Sequence, residues 1–233
     1  MKMQARQIGA LTLAVAALAG CATDYAHRDA SIGAGTGAVI GAVIGKQVSR
    51  ADGSPYVGAA IGALAGAAVG NYMDKQRLEL QQKLAQEASR NELVITQIAP
   101  DTLKIGLASD VSFDVNSAQL RPDALNTYAK IAATLKSYNQ TVIHVVGHTD
   151  TTGTAELNQS LSDRRAASVS SYLSTQGLPA ERIRQEGRGE REPLVRTGDN
   201  VAEARNRRVD IVIKAVVQGN EAAAWTPPPY LGG

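Results

Sequence analysis

Arg165 constrains the chemistry of this chain more than any other residue. From about Ala155 to Gln176 the spacing predicts a helix closed by Gly177. At 100° per residue Leu157, Leu161, Val169, Tyr172 and Leu173 share one face, with Arg165 in its middle and Arg164 at its edge. A guanidinium aimed at a core needs an anion, because an unpaired buried charge is very costly. Asp150, at the end of the strand expected before this helix, is the local candidate. The pair admits two readings. One is a structural salt bridge, the commoner outcome for such residues. The other is a receptor for a zwitterion, in which the carboxylate takes an ammonium and the planar guanidinium grips a carboxylate through two parallel bonds.

Other chemistries have less support. His144 and His148 lie four apart on a strand, hence ~13 Å apart, too far to share a metal. His148 beside Asp150 mimics part of a catalytic dyad but has no nucleophile placed with it. Glu190 and Glu192 suggest paired carboxylates for glycan cleavage, yet lie in an Arg-rich stretch expected to be a solvated loop. Gly33-Ala-Gly35-Thr-Gly37-Ala38 follows polar residues rather than a strand, and Gly41–Lys46 is one residue short of a phosphate-binding loop, so neither carries a nucleotide reading. No cofactor is implied. The single Cys excludes a disulfide framework and a Cys-based zinc site.

The elements that must position Arg165 and Asp150 occupy residues 91–217. Glu92–Ile98 and Asp101–Leu107 alternate around Ala99-Pro100-Asp101, a hairpin, and Val111–Asp114 reads as a short further strand. Pro122 starts a helix whose apolar face holds Leu125, Tyr128, Ile131, Leu135 and Tyr138. Val142–Val146 reads as a buried strand, Arg182–Glu186 as another, and Val209–Val216 as the last, with Val209, Ile211 and Ile213 on one face. The order β-β-α-β-α-β-β predicts an α+β fold of two layers, helices on one face of a mixed sheet. This region balances its charges, and the whole chain has 24 Lys+Arg against 22 Asp+Glu, which gives no support to a nucleic-acid partner.

The first third is built differently. Lys2 and Arg6 precede the uncharged run Ile8–Ala17, and Leu18-Ala19-Gly20 precedes Cys21, a secretory signal pattern over residues 1–20. Gly33, Gly37, Gly41 and Gly45 recur every fourth residue, as do Gly58, Gly62, Gly66 and Gly70, among Ala, Val, Ile and Leu. That period sets glycines along one helical stripe where backbones approach closely. The expectation is a helical hairpin over residues 31–73, a charged helical stalk over 74–90, and a disordered Pro/Gly tail over 218–233.

Three resemblances attach to these residues. The sole Cys at the cleavage point resembles the lipobox of bacterial lipoproteins, which implies acylation of Cys21 after loss of residues 1–20, leaving 21–30 as the lipidated N-terminal segment; Ala22 implies transport to the outer membrane. The two glycine series resemble the glycine-zipper domain of outer-membrane lipoproteins. GHTDTTGTAELNQSLSDRRAASVSSYL, EGRGEREP and NRRVDIVI resemble the OmpA-like peptidoglycan-binding domain over roughly residues 100–215. Together these blocks are similar to YiaD-type outer-membrane lipoproteins.

The resemblance implies non-covalent binding of the diaminopimelate of the peptidoglycan stem, with the domain in the periplasm. Asp150 and Arg165 fall on its aspartate and arginine. Thr149 and Asn158 also fall on the motif, Phe113 and Asp114 match a loop that lines the site, and Asn206-Arg207-Arg208 matches the last block. Strand parity selects Arg207 over Arg208 for the helix-facing side. Many members carry Arg where this chain has Glu203, which leaves the charges around Arg207 open. The implied protein is a wall-binding tether rather than an enzyme. A peptidoglycan hydrolase and a zipper-built oligomer or pore are the rival readings.

Overall fold

The computed structural model describes residues 61–232; Cys21, the leader and the first glycine series lie outside them. The elements run α1 (Gly66–Lys83), α2 (Ala85–Ser89), β1 (Leu93–Ala99), β2 (Thr102–Ala108), α3 (Ser109–Ser112), α4 (Pro122–Ser137), β3 (Thr141–His148), α5 (Ala155–Thr175), β4 (Ile183–Gly187), β5 (Arg208–Ala215) and α6 (Glu221–Trp225). The sheet order is β1-β2-β5-β3-β4. Among the five strands of this sheet β3 and β4 alone pair in parallel, and α5 supplies the long connection that parallel strands require. The expected two-layer α+β architecture is therefore observed.

Alternation builds the core. Ile143 pairs with Ile213, Val145 with Ile211 and Gly147 with Val209, while Leu103 and Ile105 sit opposite Ile213 and Ile211. These side chains meet Tyr128, Ile131 and Leu135 of α4 and Ala166, Val169 and Leu173 of α5 in one cluster. Pro122 opens α4, where its missing N–H costs nothing. Val111–Asp114 is not a strand. Ser109–Ser112 make a single helical turn, Phe113 N–H donates to Ser109 O, and Ser112 Oγ bonds Tyr128 Oη at 2.9 Å.

The stalk expectation is corrected. α1 is not a free stalk: Met73, Gln76 and Leu80 are fully buried, as is Leu84 just beyond it, and Tyr72 Oη accepts from Gln140 N–H at 3.0 Å. The spacing 73, 76, 80, 84 is a core face obscured by the Lys and Glu around it. The second glycine series is likewise not helical throughout its described half. Leu64 forms a parallel bridge with Val217 and is 8% exposed, and helix begins only at Gly66. No helix among the described residues is long and apolar enough to cross a membrane.

The tail expectation is also corrected, because residues 218–232 cover the other face of the sheet. There Val142 packs with Val216 and Ala224, and Val146 and Val212 pack with Leu231. The same face carries side-chain donors needing acceptors, and the tail backbone supplies them. His144 Nε2 donates to Ala224 O (2.8 Å), Lys214 Nζ to Thr226 O (2.9 Å) and Arg188 Nη2 to Pro228 O (2.7 Å). Leu231 N–H in turn donates to Glu192 Oε2 at 3.0 Å. A proline segment suits this role, since it has carbonyls to offer and no N–H to satisfy. Truncation after Val217 should therefore lower the melting temperature by at least about 5 °C, from the lost burial of Leu231 and Ala224 alone. An unchanged melt would mean that the tail contributes nothing to the fold.

Candidate functional site

The site lies where β3 and β4 end and β5 begins. Arg188 N–H donates to Gly147 O and Thr149 N–H to Gly189 O, both at 2.9 Å, so the β3–β4 pairing continues past the strands and holds Thr149 and Asp150 firmly. Thr154 caps α5, its Oγ1 accepting from Leu157 N–H at 3.3 Å.

The inward face of α5 begins differently from the expected apolar stripe. Leu157 is 65% exposed, and Asn158, Ser162 and Arg165 point inward instead. Glycine in the strands is the cause. A Cβ on Gly147 would lie 2.3 Å from Ser162 O, and one on Gly187 would lie 2.4 Å from Asp163 N. The helix backbone rests directly on the strand ends, leaving room only for a small inward residue, and Ser162 Oγ accepts from Gly189 N–H at 2.9 Å. Helical side chains tilt toward the N-terminus, which carries the guanidinium of Arg165 back to this end of the sheet.

Arg165 is 4% exposed, its guanidinium carbon stands 5.1 Å from the centroid of the Phe113 ring, and Nε donates to Ser117 O at 2.9 Å. Nη1 is buried and has no hydrogen-bond partner among the described residues. Burial pushes its pKa down, Arg207 adds to that, and Asp110 and Asp150 oppose it; a guanidinium nonetheless stays charged. Arg164 is turned outward onto Ser160 Oγ.

The salt bridge between Asp150 and Arg165 is not formed. Asp150 Oδ2 instead accepts from Arg207 Nη1 at 2.7 Å and from Glu203 N–H at 3.3 Å, and Oδ1 accepts from Thr152 N–H at 3.1 Å. His148 pairs with Arg208, so the next step of the ladder brings Arg207 beside Thr149 and Asp150. Burial would raise the carboxyl pKa of Asp150, but the bonds from Arg207, Thr152 and Glu203 outweigh it and leave it lowered. The Thr152 hydroxyl also bears on this carboxylate and helps to lower its pKa, so a ligand donor would take that hydroxyl's place.

Asp110 was not legible as a member of this group. It grips Arg207 in a two-bond fork, Oδ1 to Nε at 3.0 Å and Oδ2 to Nη2 at 2.6 Å. The available signal was the register: Ala108, two residues before it, pairs with Arg208. Thr149 is buried with its Oγ1 unpartnered, and Asn158 Nδ2 donates to Glu190 Oε2 at 2.6 Å. Phe113 floors the guanidinium of Arg165. Asp114 is not drawn in; it faces solvent and reaches Arg121 at 3.4 Å. The carboxylate of Glu203 is turned to Arg205, which holds its pKa near 2. Arg208 points to the opposite face and bonds Asp210, and Asn206 ties down the loop through both amide atoms on Val195.

The rival chemistries find other geometry. Glu192 is not a solvated charge: Arg188 Nη1 reaches both its oxygens at 2.8 Å. His148 is fully buried with Nε2 3.3 Å from Asp210 Oδ2, and burial pushes its pKa down. No group of three or more His, Cys, Asp or Glu among the described residues is placed to hold a metal.

The chain is similar to known proteins over most of its length. Residues 112–207 match the OmpA family and residues 1–74 the YMGG-like Gly-zipper. Probable lipoprotein YiaD of Escherichia coli (strain K12) is 38% identical over 222 residues, covering 91% of this chain and 99% of that protein. The outer-membrane lipoprotein YfiB of Pseudomonas aeruginosa is 37% identical over 112 residues, 48% of this chain and 67% of YfiB. Among solved structures, the cell wall anchor of the T6SS from Pseudomonas aeruginosa is similar with a TM-score of 0.52 and 30% identity, covering 60% of this chain and 99% of that one. A MotB-like protein from Desulfovibrio vulgaris shares the fold at a TM-score of 0.56 and 20% identity, over 64% of this chain and 98% of its own. With a glycine-zipper segment leading into an OmpA domain, and a full-length relative in YiaD, the chain belongs to the OmpA family as a YiaD-type outer-membrane lipoprotein.

Proposed function

We propose that this protein binds peptidoglycan non-covalently, through the diaminopimelate of the peptide stem, and so tethers the outer membrane to the cell wall. One observation carries the reading: Arg165, 4% exposed, has a buried guanidinium nitrogen without a partner among the described residues, near the Asp150 carboxylate that Arg207 holds in place. A buried guanidinium nitrogen left without an acceptor is costly unless a ligand carboxylate completes it. The amino-acid end of diaminopimelate supplies the carboxylate for Arg165 and the ammonium for Asp150 Oδ1. Thr149 Oγ1 is a further donor or acceptor at the rim, Asn158 and Phe113 hold the walls, and Arg207 fixes Asp150.

In this reading the protein is a receptor and not a hydrolase, since Glu190 and Glu192 are already engaged by Asn158 and Arg188. Acylated Cys21 anchors the mature chain in the outer membrane, with the domain in the periplasm. The layout suits a tether. Residues 61–64 join the domain beside Val217 and the start of β3, whereas Asp150 follows its far end, about 25 Å away for eight residues at ~3.3 Å each. The wall-binding end thus faces away from the anchored end.

Mixing sacculi, outer-membrane lipid vesicles and the acylated full-length protein tests both halves at once. Vesicle lipid should sediment with the sacculi, and free diaminopimelate should release it. Cys21→Ser protein should still sediment, without bringing lipid. Sedimentation of lipid that is indifferent to Cys21 or to free diaminopimelate would contradict the tether.

A further inference from the structure

The charges around Asp150 form a closed set whose sum decides which ligands enter. Arg207 spends all three of its nitrogens on carboxylates: Nε and Nη2 on Asp110, at 3.0 and 2.6 Å, and Nη1 on Asp150 at 2.7 Å. Asp110 makes no bond to Arg165, yet its negative charge is the largest favourable influence on that guanidinium, ahead of Asp150. Two carboxylates and two guanidinia thus meet within one small volume and cancel. Arg165, bonded through Nε alone, the unpartnered Thr149 hydroxyl and the Asp150 carboxylate are left to meet a ligand. Glu203 and Arg205 cancel each other beside them, so the neighbouring loop does not disturb the balance.

We infer that Asp110 is the charge-selectivity determinant of this site: by neutralising Arg207 it makes the site accept a zwitterionic amino-acid end and reject a ligand that offers a carboxylate alone. The inference rests on the proposed binding of diaminopimelate at Asp150 and Arg165. Without the Asp110 carboxylate, Arg207 regains one positive charge and two free N–H donors next to Arg165. The site then carries a net positive charge, which favours carboxylates and disfavours the incoming ammonium of the zwitterion. Asp110 acts through Arg207 and is a positioning residue. Its side chain is 56% exposed, so the change does not create a cavity.

The test compares free diaminopimelate with its N,N′-diacetyl derivative, which keeps both carboxylates and loses both ammonium groups. Affinities are measured by titration calorimetry on full-length wild type, Asp110→Asn and Asp123→Asn, the last an exposed acid in the first turn of α4 that forms no ion pair with Arg165 or Arg207. Asn at position 110 keeps an oxygen to accept from Arg207. Wild type and Asp123→Asn should prefer diaminopimelate strongly. In Asp110→Asn that preference should shrink by about tenfold or more, with the diacetyl ligand gaining in absolute affinity. Equal loss of both ligands in folded Asp110→Asn would make Asp110 a merely structural residue, and an unchanged ratio, or the same change in Asp123→Asn, would also overturn the inference. If wild type binds neither ligand, the underlying reading of the site fails, and that result is separate from any effect of Asp110.

Discussion

Arg165→Met protein should lose roughly 30-fold or more in affinity for sacculi, about 2–5 kcal/mol for truncating a desolvated charged contact, while remaining at least as stable as wild type. The second half of this expectation separates the two readings of the residue. Removing one partner of a buried salt bridge is strongly destabilising, because the other charge is left uncompensated. Here Asp150 keeps Arg207 at 2.7 Å whether or not Arg165 is present. Arg165 itself has a buried Nη1 with no acceptor, so an apolar side chain of similar length relieves desolvation and loses only the bond to Ser117 O and the stacking on Phe113. Arg165→Lys should bind almost as poorly, since an ammonium cannot supply the planar two-bond geometry. Arg164→Ala should be silent, its guanidinium lying on the outer face of α5 against Ser160. A variant at Arg165 that melts well below wild type and still binds would restore the structural salt-bridge role.

Gly147→Ala should be the most disruptive single methyl in the domain. The added Cβ would lie 2.3 Å from the backbone oxygen of Ser162, and neither the interior strand β3, paired on both sides, nor α5 can move alone. Overpacking of this kind costs typically 1–3 kcal/mol, and about the upper end or beyond is expected where both contacts are backbone. The same displacement lifts Arg165, one turn after Ser162, away from Ser117 O and Phe113. Binding should therefore fall even in protein that stays folded under the assay conditions. Gly66→Ala is the control, since a Cβ there meets nothing within 4 Å. Thermal melting with the two variants side by side checks the stability claim; equal melts would mean that the helix does not need the glycine seat.

Much of this arrangement is local and so could be read from spacing. Period-two alternation put Val209, Ile211 and Ile213 on the helix side, and the same parity chose Arg207 over Arg208. Helical spacing sent Arg165 inward and put Arg164 at the edge of the face, from which the structure turns it onto Ser160. What escaped was set by long-range contacts. Asp110 meets Arg207 across 97 residues, and no periodicity in either segment announces it. The Asp150–Arg165 salt bridge follows from Asp150 ending the strand before the helix of Arg165, but register gave Asp150 a nearer partner. The lead apolar residues of α5 were misjudged because close backbone contact at Gly147 and Gly187 pushes Leu157 outward and admits Ser162. In α1 the charged residues hid Met73, Gln76 and Leu80, and in the tail Pro and Gly suggested disorder where carbonyl acceptors were the useful feature. Leu64 left the glycine-stripe helix because its backbone found Val216 and Gln218.

A crystal structure of the domain with bound diaminopimelate tests the central claim most directly. The account predicts one amino-acid end of the ligand at the end of β3, its carboxylate accepting from Arg165 Nη1 and its ammonium donating to Asp150 Oδ1, with the Arg207 bonds to Asp110 and Asp150 kept. Ligand bound elsewhere, or a site in which Arg165 Nη1 remains without a ligand oxygen at saturating diaminopimelate, would contradict it.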